Sequence, residues 1–598
     1  MRAPWTIALL SACLLALPSA QAPLDREAQR WVAQTIAKLT WDQKVGQLIA
    51  PAFNSTYLPT DSDEFDRLVR AVQESHAGAV IAFGGVEPAP RVLLNPSYGT
   101  VILGQPLALA ATLNRLQAVA PVPLLASADF EFGAGMRIGG ATRFPRAMAV
   151  GAAGDEKLAF EAGRLTAIEG RAMGVHVNFA PVADVNNNAR NPVINTRSFG
   201  EDPAKVGALV AAYVRGLQQG GMLATLKHFP GHGDTEVDSH LGLPIIMHPR
   251  ERLNATELPP FRAGMAAGAA AAMVAHIELP ELDPEKGPAT FSRPVITNLL
   301  RRELAFPGLI VTDSMKMDAI TRMMPPGEAA VKAVAAGADL VLDTPDPAGA
   351  FRALKAAVEG GQIERAQVEA SVRRILEAKA RLGLHRTRTV SMESVPTIVG
   401  SRQHQAVARA IAEKAVTLIK DEANRVPLRL PPGASILYLS VLDYPSGWRI
   451  AAPSRTIIPE LKKRWAATEA VEVSDRSTQN ELDLVRAMAG RFDAVVAGVF
   501  VRAASGSGRQ DLGPGVERLL QDLARATKQR SQPMAAVFFG NPYVAATVPD
   551  VPAMLLTYDF SDLAEESAVR ALAGEAPITG TLPISLPGLF PAGHGLTR

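Results

Sequence analysis

The chain has 598 residues, and 47% of them are hydrophobic, enough for two or three domains around sizeable cores. A net charge of +2 with 20% charged residues and no basic run gives no electrostatic footprint for nucleic acid. One cysteine, Cys13, rules out a disulfide framework.

The first residues have the pattern of an export signal. Arg2 supplies the positive end, Thr6 to Leu17 the apolar stretch, and Ala20-Gln21-Ala22 the small-residue cleavage pattern. The apolar stretch is too short to span a membrane. Leu10-Ser11-Ala12-Cys13 also resembles a lipidation box, but the apolar run continues past Cys13, which favours an ordinary signal over residues 1–22. The expected product is exported, periplasmic or secreted, with no cysteine left after cleavage at Ala22.

From Asp25 onward, apolar strand-like runs alternate with helical patterns. The strand candidates are Val45–Phe53, Ala79–Phe83, Leu124–Asp129, His176–Pro181, Leu223–His228, Ala272–His276, Leu309–Asp313 and Leu340–Asp343. Between them, Asp202-Pro203 reads as a helix start, Val206 to Leu217 recurs at helical spacing, and Gly220-Gly221 reads as its end. Strands this apolar suit a parallel sheet covered on both faces. Eight such units over residues 23–385 predict a (β/α)8 TIM-like barrel, whose active site lies at the C-terminal strand ends. Asp129, Asp184, Lys227, His228, His276, Asp313 and Asp343 fall at those ends.

Residues 386–400 are polar and read as a linker. Residues 401–598 form a smaller unit with strand candidates Ile436–Ser440, Ala470–Val473, Ala494–Val501, Ala535–Phe539 and Met554–Thr557, a parallel α/β sandwich. Gly506-Ser507-Gly508 is weak evidence for phosphate binding, and no Walker or dinucleotide pattern follows a strand.

The chemistry concentrates in Lys227-His228-Phe229-Pro230-Gly231-His232-Gly233-Asp234-Thr235-Glu236-Val237-Asp238-Ser239-His240, three of the chain's 10 histidines in one loop. Two readings compete. In one, His228, His232, Asp234, Asp238 and His240 bind zinc, although their spacing fits no standard zinc pattern. In the other, Asp238 orients His240 for proton transfer, and Asp313 in Val311-Thr312-Asp313-Ser314-Met315 supplies a nucleophile. A carboxylate nucleophile with a proton-transferring partner describes retaining glycoside hydrolysis, with histidine where a second carboxylic acid is usual.

These segments resemble the β-N-acetylglucosaminidase branch of glycoside hydrolase family 3, two-domain type. Lys44-Val45-Gly46-Gln47-Leu48, Asp129 to Arg137, Asn178 to Val182, Asn195 to Gly200 and the closing Leu589 to Leu596 agree with it. The resemblance implies Asp313 as nucleophile, His240 as general acid and base tuned by Asp238, and Asp129, Arg137, Arg197, Lys227 and His228 as sugar ligands. Arg137 is chosen over Arg143 because the segment departs from the single-domain pattern. Asp184 and His276 stand behind them. No cofactor and no metal is implied. The expected substrate is a carbohydrate ending in N-acetylglucosamine, from peptidoglycan fragments or chitin oligosaccharides. Phe229 to Val237 is expected to move, carrying His240 towards Asp313. A neutral imidazole repels an incoming anion less than a carboxylate does, so phosphate is a candidate acceptor beside water. The alternatives are a β-glucosidase or xylosidase of the same family, a metal-dependent hydrolase using the histidines, and a sugar-binding protein without catalysis.

Overall fold

The computed structural model describes residues 23–87, 100–443, 453–501 and 510–598. The expected export segment with Cys13, and Gly506-Ser507-Gly508, lie outside the described residues.

The barrel strands, in chain order, are β1 (Ile49–Ala50), β2 (Ala52–Asn54) and β3 (Ala79–Phe83). An antiparallel hairpin of β4 (Gly85–Glu87) and β5 (Thr100–Ile102) follows. The ring continues with β6 (Leu125–Ala128), β7 (Val177–Asn178), β8 (Leu223–Phe229), β9 (Ala271–Val274), β10 (Leu309–Thr312) and β11 (Val341–Leu342). Neighbours pair in parallel in the order β10-β9-β8-β7-β6-β3-β2. The ring closes where Ile49 lies opposite Val341 and Val311 bridges Leu340.

All the expected barrel strands are present, and the first needs correction. Val45 and Gly46 end a short helix, Trp41–Gly46, whose Thr40–Gln43 capping box starts it. The strand proper breaks at Pro51, which has no N–H for the ladder, so β1 pairs with β11 and β2 with β3. The helices follow their sequence signals. Asp202 accepts from the N–H groups of Ala204 and Lys205, Pro203 opens the helix Pro203–Gln219, and Val206, Val210, Tyr213, Val214 and Leu217 are buried.

The second unit holds β12 (Thr417–Asp421), β13 (Ser435–Leu442), β14 (Ala467–Ser474), β15 (Ala494–Val501), β16 (Met534–Gly540) and β17 (Ala553–Leu556) in the order β12-β17-β16-β15-β13-β14. The expectation of an all-parallel sheet is corrected at one edge. β12 runs antiparallel to β17 because it leaves the helix Arg402–Ala415 directly and fills the free edge. Residues 386–400 are fitted rather than slack. The Asn114 amide donates to Val390 O and accepts from Val390 N, both at 2.9 Å, and Val395 is buried. Met148, Ala149 and Ala152 of the barrel pack in one core with Leu582 and Ile584 of the second unit.

Candidate active site

Strand ends place the polar groups around one cavity of about 560 Å³, lined by Asp129, Glu131, Arg137, Arg197, Lys227, His228, His240 and Asp313, among others. Lys227 sits near the C-terminal end of strand β8, 3% exposed at its side chain. Its ammonium donates to Asp129 Oδ1 at 2.9 Å and lies 2.7 Å from Glu131 Oε1. Arg137 Nη2 donates to Asp129 Oδ2 at 3.0 Å. Arg197 grips Glu131 with both Nε (3.0 Å) and Nη2 (2.7 Å). Breaking one partner out of so buried a set costs about 3–5 kcal/mol, because the remaining charge is left without a counter-ion. Burial opposes the charge on Lys227, Asp129 and Glu131. The opposite charges outweigh it, lowering both carboxyls, Glu131 well below its usual range, and raising the ammonium.

Glu131 was not among the residues singled out from the sequence. Its signal was its place two residues after Asp129, on the same face of an extended segment, hidden because Phe130 and Phe132 make the stretch read apolar. Both rings are buried.

His228 is fixed from both sides. Its backbone N–H and Nδ1 point to Asp184, with Nδ1 2.7 Å from Oδ2, and its Nε2 lies 3.2 Å from Arg197 Nη2. Asp184 accepts and Arg197 only donates, so the proton sits on Nδ1 and Nε2 is an acceptor. Asp184 also accepts from His232 N at 2.7 Å. His232 spends both ring nitrogens on Thr235 Oγ1 and Ser239 Oγ, and burial pushes its pKa down to about 4. Among the described residues, no three His, Cys, Asp or Glu side chains are grouped as metal ligands.

The expected mobility of Phe229 to Val237 is corrected for its first half. Phe229 is in strand and packs edge-on against Phe261 at 5.3 Å between ring centroids. Asn191 donates to the carbonyls of His232 and Gly233. A Cβ on Gly233 would stand 1.7 Å from Val185 O. Asp184 and Asn191 therefore pin the chain as far as Gly233, and exposed residues begin only at Glu236. Beyond it, Val237, Leu241, Ile245 and Met247 are exposed.

Asp238 is buried, with 1% of its side chain exposed, whereas 39% of the His240 side chain is exposed. Asp313 follows β10 and accepts from Ser314 N at 2.7 Å. Burial would raise its carboxyl, yet His228, His276, Lys227 and the Ser314 N–H hold it at about 2. His276 lies beneath, between Thr290 Oγ1 and Ser314 O, and burial lowers its pKa. Asp343 receives Ser314 Oγ–H at 2.7 Å and pairs with Lys316 at 2.7 Å. Arg143, passed over in favour of Arg137, lies instead against Phe132 and Phe560.

The second unit reaches this site. Asn195, in the turn that delivers Arg197, donates to Asn541 Oδ1 at 3.1 Å, and Asn186 donates to Tyr543 Oη at 2.7 Å.

A parallel barrel with an ionised carboxylate and acceptor and donor groups for a polyol at its C-terminal mouth is the arrangement of a glycoside-processing enzyme. Residues 40–378 match the profile of the glycosyl hydrolase family 3 N terminal domain, and the chain belongs to that family. It is 29% identical over 595 residues to a β-N-acetylglucosaminidase/β-glucosidase of Cellulomonas fimi, covering 96% of this chain and 98% of the relative. It is similar in structure to a family 3 β-N-acetylglucosaminidase from Paenibacillus sp. str. FPU-7, with a TM-score of 0.79 and 34% identity over 92% of this chain and 99% of the other. It is also similar to the β-glucoside phosphorylase BglX, with a TM-score of 0.81 and 25% identity over 94% and 97% of the two chains.

Proposed function

We propose that this family 3 hydrolase is an exported, retaining exo-β-N-acetylglucosaminidase acting on peptidoglycan fragments or chitin oligosaccharides. What carries the reading is that Asp313 and the Asp238-held His240 line one cavity whose wall is the Asp129–Lys227–Glu131–Arg197 network. Asp129 and Glu131 accept sugar hydroxyls while Arg137, Arg197 and Lys227 donate, which fixes the terminal ring. Asp313 attacks the anomeric carbon as His240 Nε2–H gives its proton to the departing oxygen, leaving a glycosyl ester on Asp313. His240, now without that proton, takes one from water, which opens the ester and restores both groups. The relatives' names support N-acetylglucosamine as the terminal sugar.

The test compares aryl N-acetyl-β-glucosaminide with aryl β-glucoside and follows the anomer first released. Faster cleavage of the first with β-product supports the reading; α-product, or preference for the glucoside, sinks it. A second reading has phosphate taking the place of water. It is favoured by the imidazole at the proton-transfer position and by Lys316 at the cavity wall. Phosphate would then open the ester to a sugar 1-phosphate, and absence of that product removes the reading.

A further inference from the structure

A second cavity opens at the other end of the barrel. It measures about 270 Å³ and is lined by Arg171, His176, Arg386 and Arg388, among others, and by no carboxylate. Arg171 lies in the last turn of the helix Glu156–Ala172, and His176 directly precedes β7. Arg388 follows the last barrel helix, Arg365–Arg381. The cavity therefore sits at the N-terminal ends of the strands, away from the sugar site at their C-terminal ends.

Among the described residues, Arg171 and Arg388 meet only neutral acceptors. Arg171 Nη2 reaches Leu382 O at 3.4 Å, and its buried Nη1 has no hydrogen-bond partner. Arg388 Nη1 donates to Ala120 O at 3.1 Å. Lys379, wholly buried nearby, donates to Gln47 Oε1 at 2.6 Å. Other arginines at this end of the barrel are paired with acids. Arg301 and Arg374 both grip Asp339, and Arg386 takes Asp25 and Glu27. Burial pulls Arg171 down to about 10, and burial with the charge of Arg388 pulls Lys379 well below its usual range. No described acid offsets either shift. The helices Glu156–Ala172 and Arg365–Arg381 both end here, and their last carbonyls carry about half a negative charge each, which offsets only part of three cations. His176 Nδ1 accepts from Ala126 N–H at 3.0 Å, so the proton of its neutral ring sits on Nε2, which can donate.

We propose that this cavity binds a small oxyanion of the phosphate class, held by Arg171, Arg388 and the Nε2–H of His176. The donors come from a helix end, a strand start and a loop, which suits a tetrahedral group better than a planar carboxylate. A bound anion supplies the counter-charge that Arg171 lacks and lowers the cost of burying it. It also ties residues 386–400, the stretch leading to the second unit, to the barrel. The cavity is roomier than a bare phosphate needs, so free phosphate and a small phosphomonoester are the two sources. The site stands apart from the glycosidase reading, since neither arginine lines the sugar cavity.

The experiment is calorimetric titration of the full chain at neutral pH in chloride of fixed ionic strength. The ligands are inorganic phosphate, glycerol phosphate and acetate. Phosphate and glycerol phosphate should bind at one shared site, with acetate at least about 10-fold weaker. The tighter of the first two identifies the source. R171Q and R388Q should each weaken that binding about 10-fold, the worth of one charge-assisted hydrogen bond. Arg388 is exposed, so R388Q tests the site without disturbing the core. In phosphate-free buffer both variants should cleave aryl N-acetylglucosaminide as wild type does. Phosphate should also slow trypsin cleavage after Arg386 and Arg388 in wild type and not in R171Q. Absence of binding to wild type would show that the helix carbonyls alone balance these cations, and would overturn the site. Phosphate binding unchanged in both variants would assign the anion to another place on the chain and overturn it too. Acetate binding as tight as that of phosphate would overturn the phosphate class.

Discussion

A single carboxylate oxygen of Asp238 holds His240 at two points: the His240 backbone N–H at 2.8 Å and its Nδ1 at 2.7 Å. Asp238 can only accept, so Nδ1 carries the proton and Nε2 is the atom left to exchange one. Asp238→Asn removes the charge that orients the ring. For substrates with poor leaving groups kcat should fall about 10²–10³-fold, the usual worth of a positioned acid. For a dinitrophenyl leaving group, which needs no proton, the glycosylation step should change far less. An equal loss on both kinds of substrate would show that Asp238 acts on folding rather than proton transfer.

Asp313 is held at about 2 despite its burial, so it is ionised throughout the neutral and mildly acidic range. The pH profile of kcat/KM should therefore show no ionisation of the nucleophile near the ordinary carboxylate value of about 4. Asp313→Asn should reduce kcat by about 10⁴-fold or more, as removal of a nucleophile does elsewhere. Binding of a product sugar, measured by calorimetry, should survive. A variant as active as wild type would remove the nucleophile assignment.

Glu131 closes the charge balance that holds Lys227 and Arg197. Glu131→Gln keeps the shape but leaves Lys227 and Arg197 without their shared counter-ion, while Asp129 is already paired with Arg137. The expected result is a fall in kcat/KM of about 100- to 1000-fold, roughly 3–4 kcal/mol, within the range for removing one partner of a buried charge pair. The Tm should drop by less than in Glu131→Ala, where the hydrogen bonds go too. Unchanged kinetics in Glu131→Gln would reduce Glu131 to a scaffold residue.

The barrel was legible because its strands are apolar on both faces. In the second unit, Ala494–Val501 is buried along its whole length and was read at its full span. What escaped was decided by partners distant in sequence. β12 is short, half-exposed at Lys420 and Asp421, and becomes a strand only by pairing with β17, more than a hundred residues later. Pro51 splits the first strand because its two halves face different neighbours. Within the site, Asp129, Lys227 and His228 were readable as strand-end polar groups. The anchoring of the loop up to Gly233 was not, since it depends on Asp184 and Asn191 arriving from the preceding barrel segment.

The turn that delivers Arg197 leans on the second unit through Asn195 and Asn541. Asn541→Ala removes that support without touching the sugar network. KM for the terminal sugar should rise several-fold while kcat on a good leaving group stays within about 2-fold, the split expected when uniform binding is lost. A fall in kcat with KM unchanged would mean that Asn541 acts elsewhere.

Stability should decline as pH falls from about 6.5 to 4, and the cause is histidine burial. His176 and His276 are held below the ordinary imidazole value and His232 at about 4, in each case chiefly by burial. A depressed histidine binds fewer protons folded than unfolded. Its contribution is whole above the unfolded value and drains as pH falls through the folded one. Glu565 runs the other way: burial raises it to about 7 although three backbone N–H groups, of Ser454, Thr456 and Ile457, donate to it. Its contribution is whole below the unfolded value and is lost as pH rises through 7. Three histidines against Glu565 and Glu257, whose carboxyl burial also raises, leave a net loss on acidification. The depressed carboxyls of Asp129, Glu131 and Asp313 add to the loss only below about pH 4. Urea denaturation at pH 7, 6, 5 and 4 reads the slope directly, and His232→Asn should flatten it by about one proton. A stability that stays level or rises over that interval would show that Glu565 and other groups outweigh the buried imidazoles.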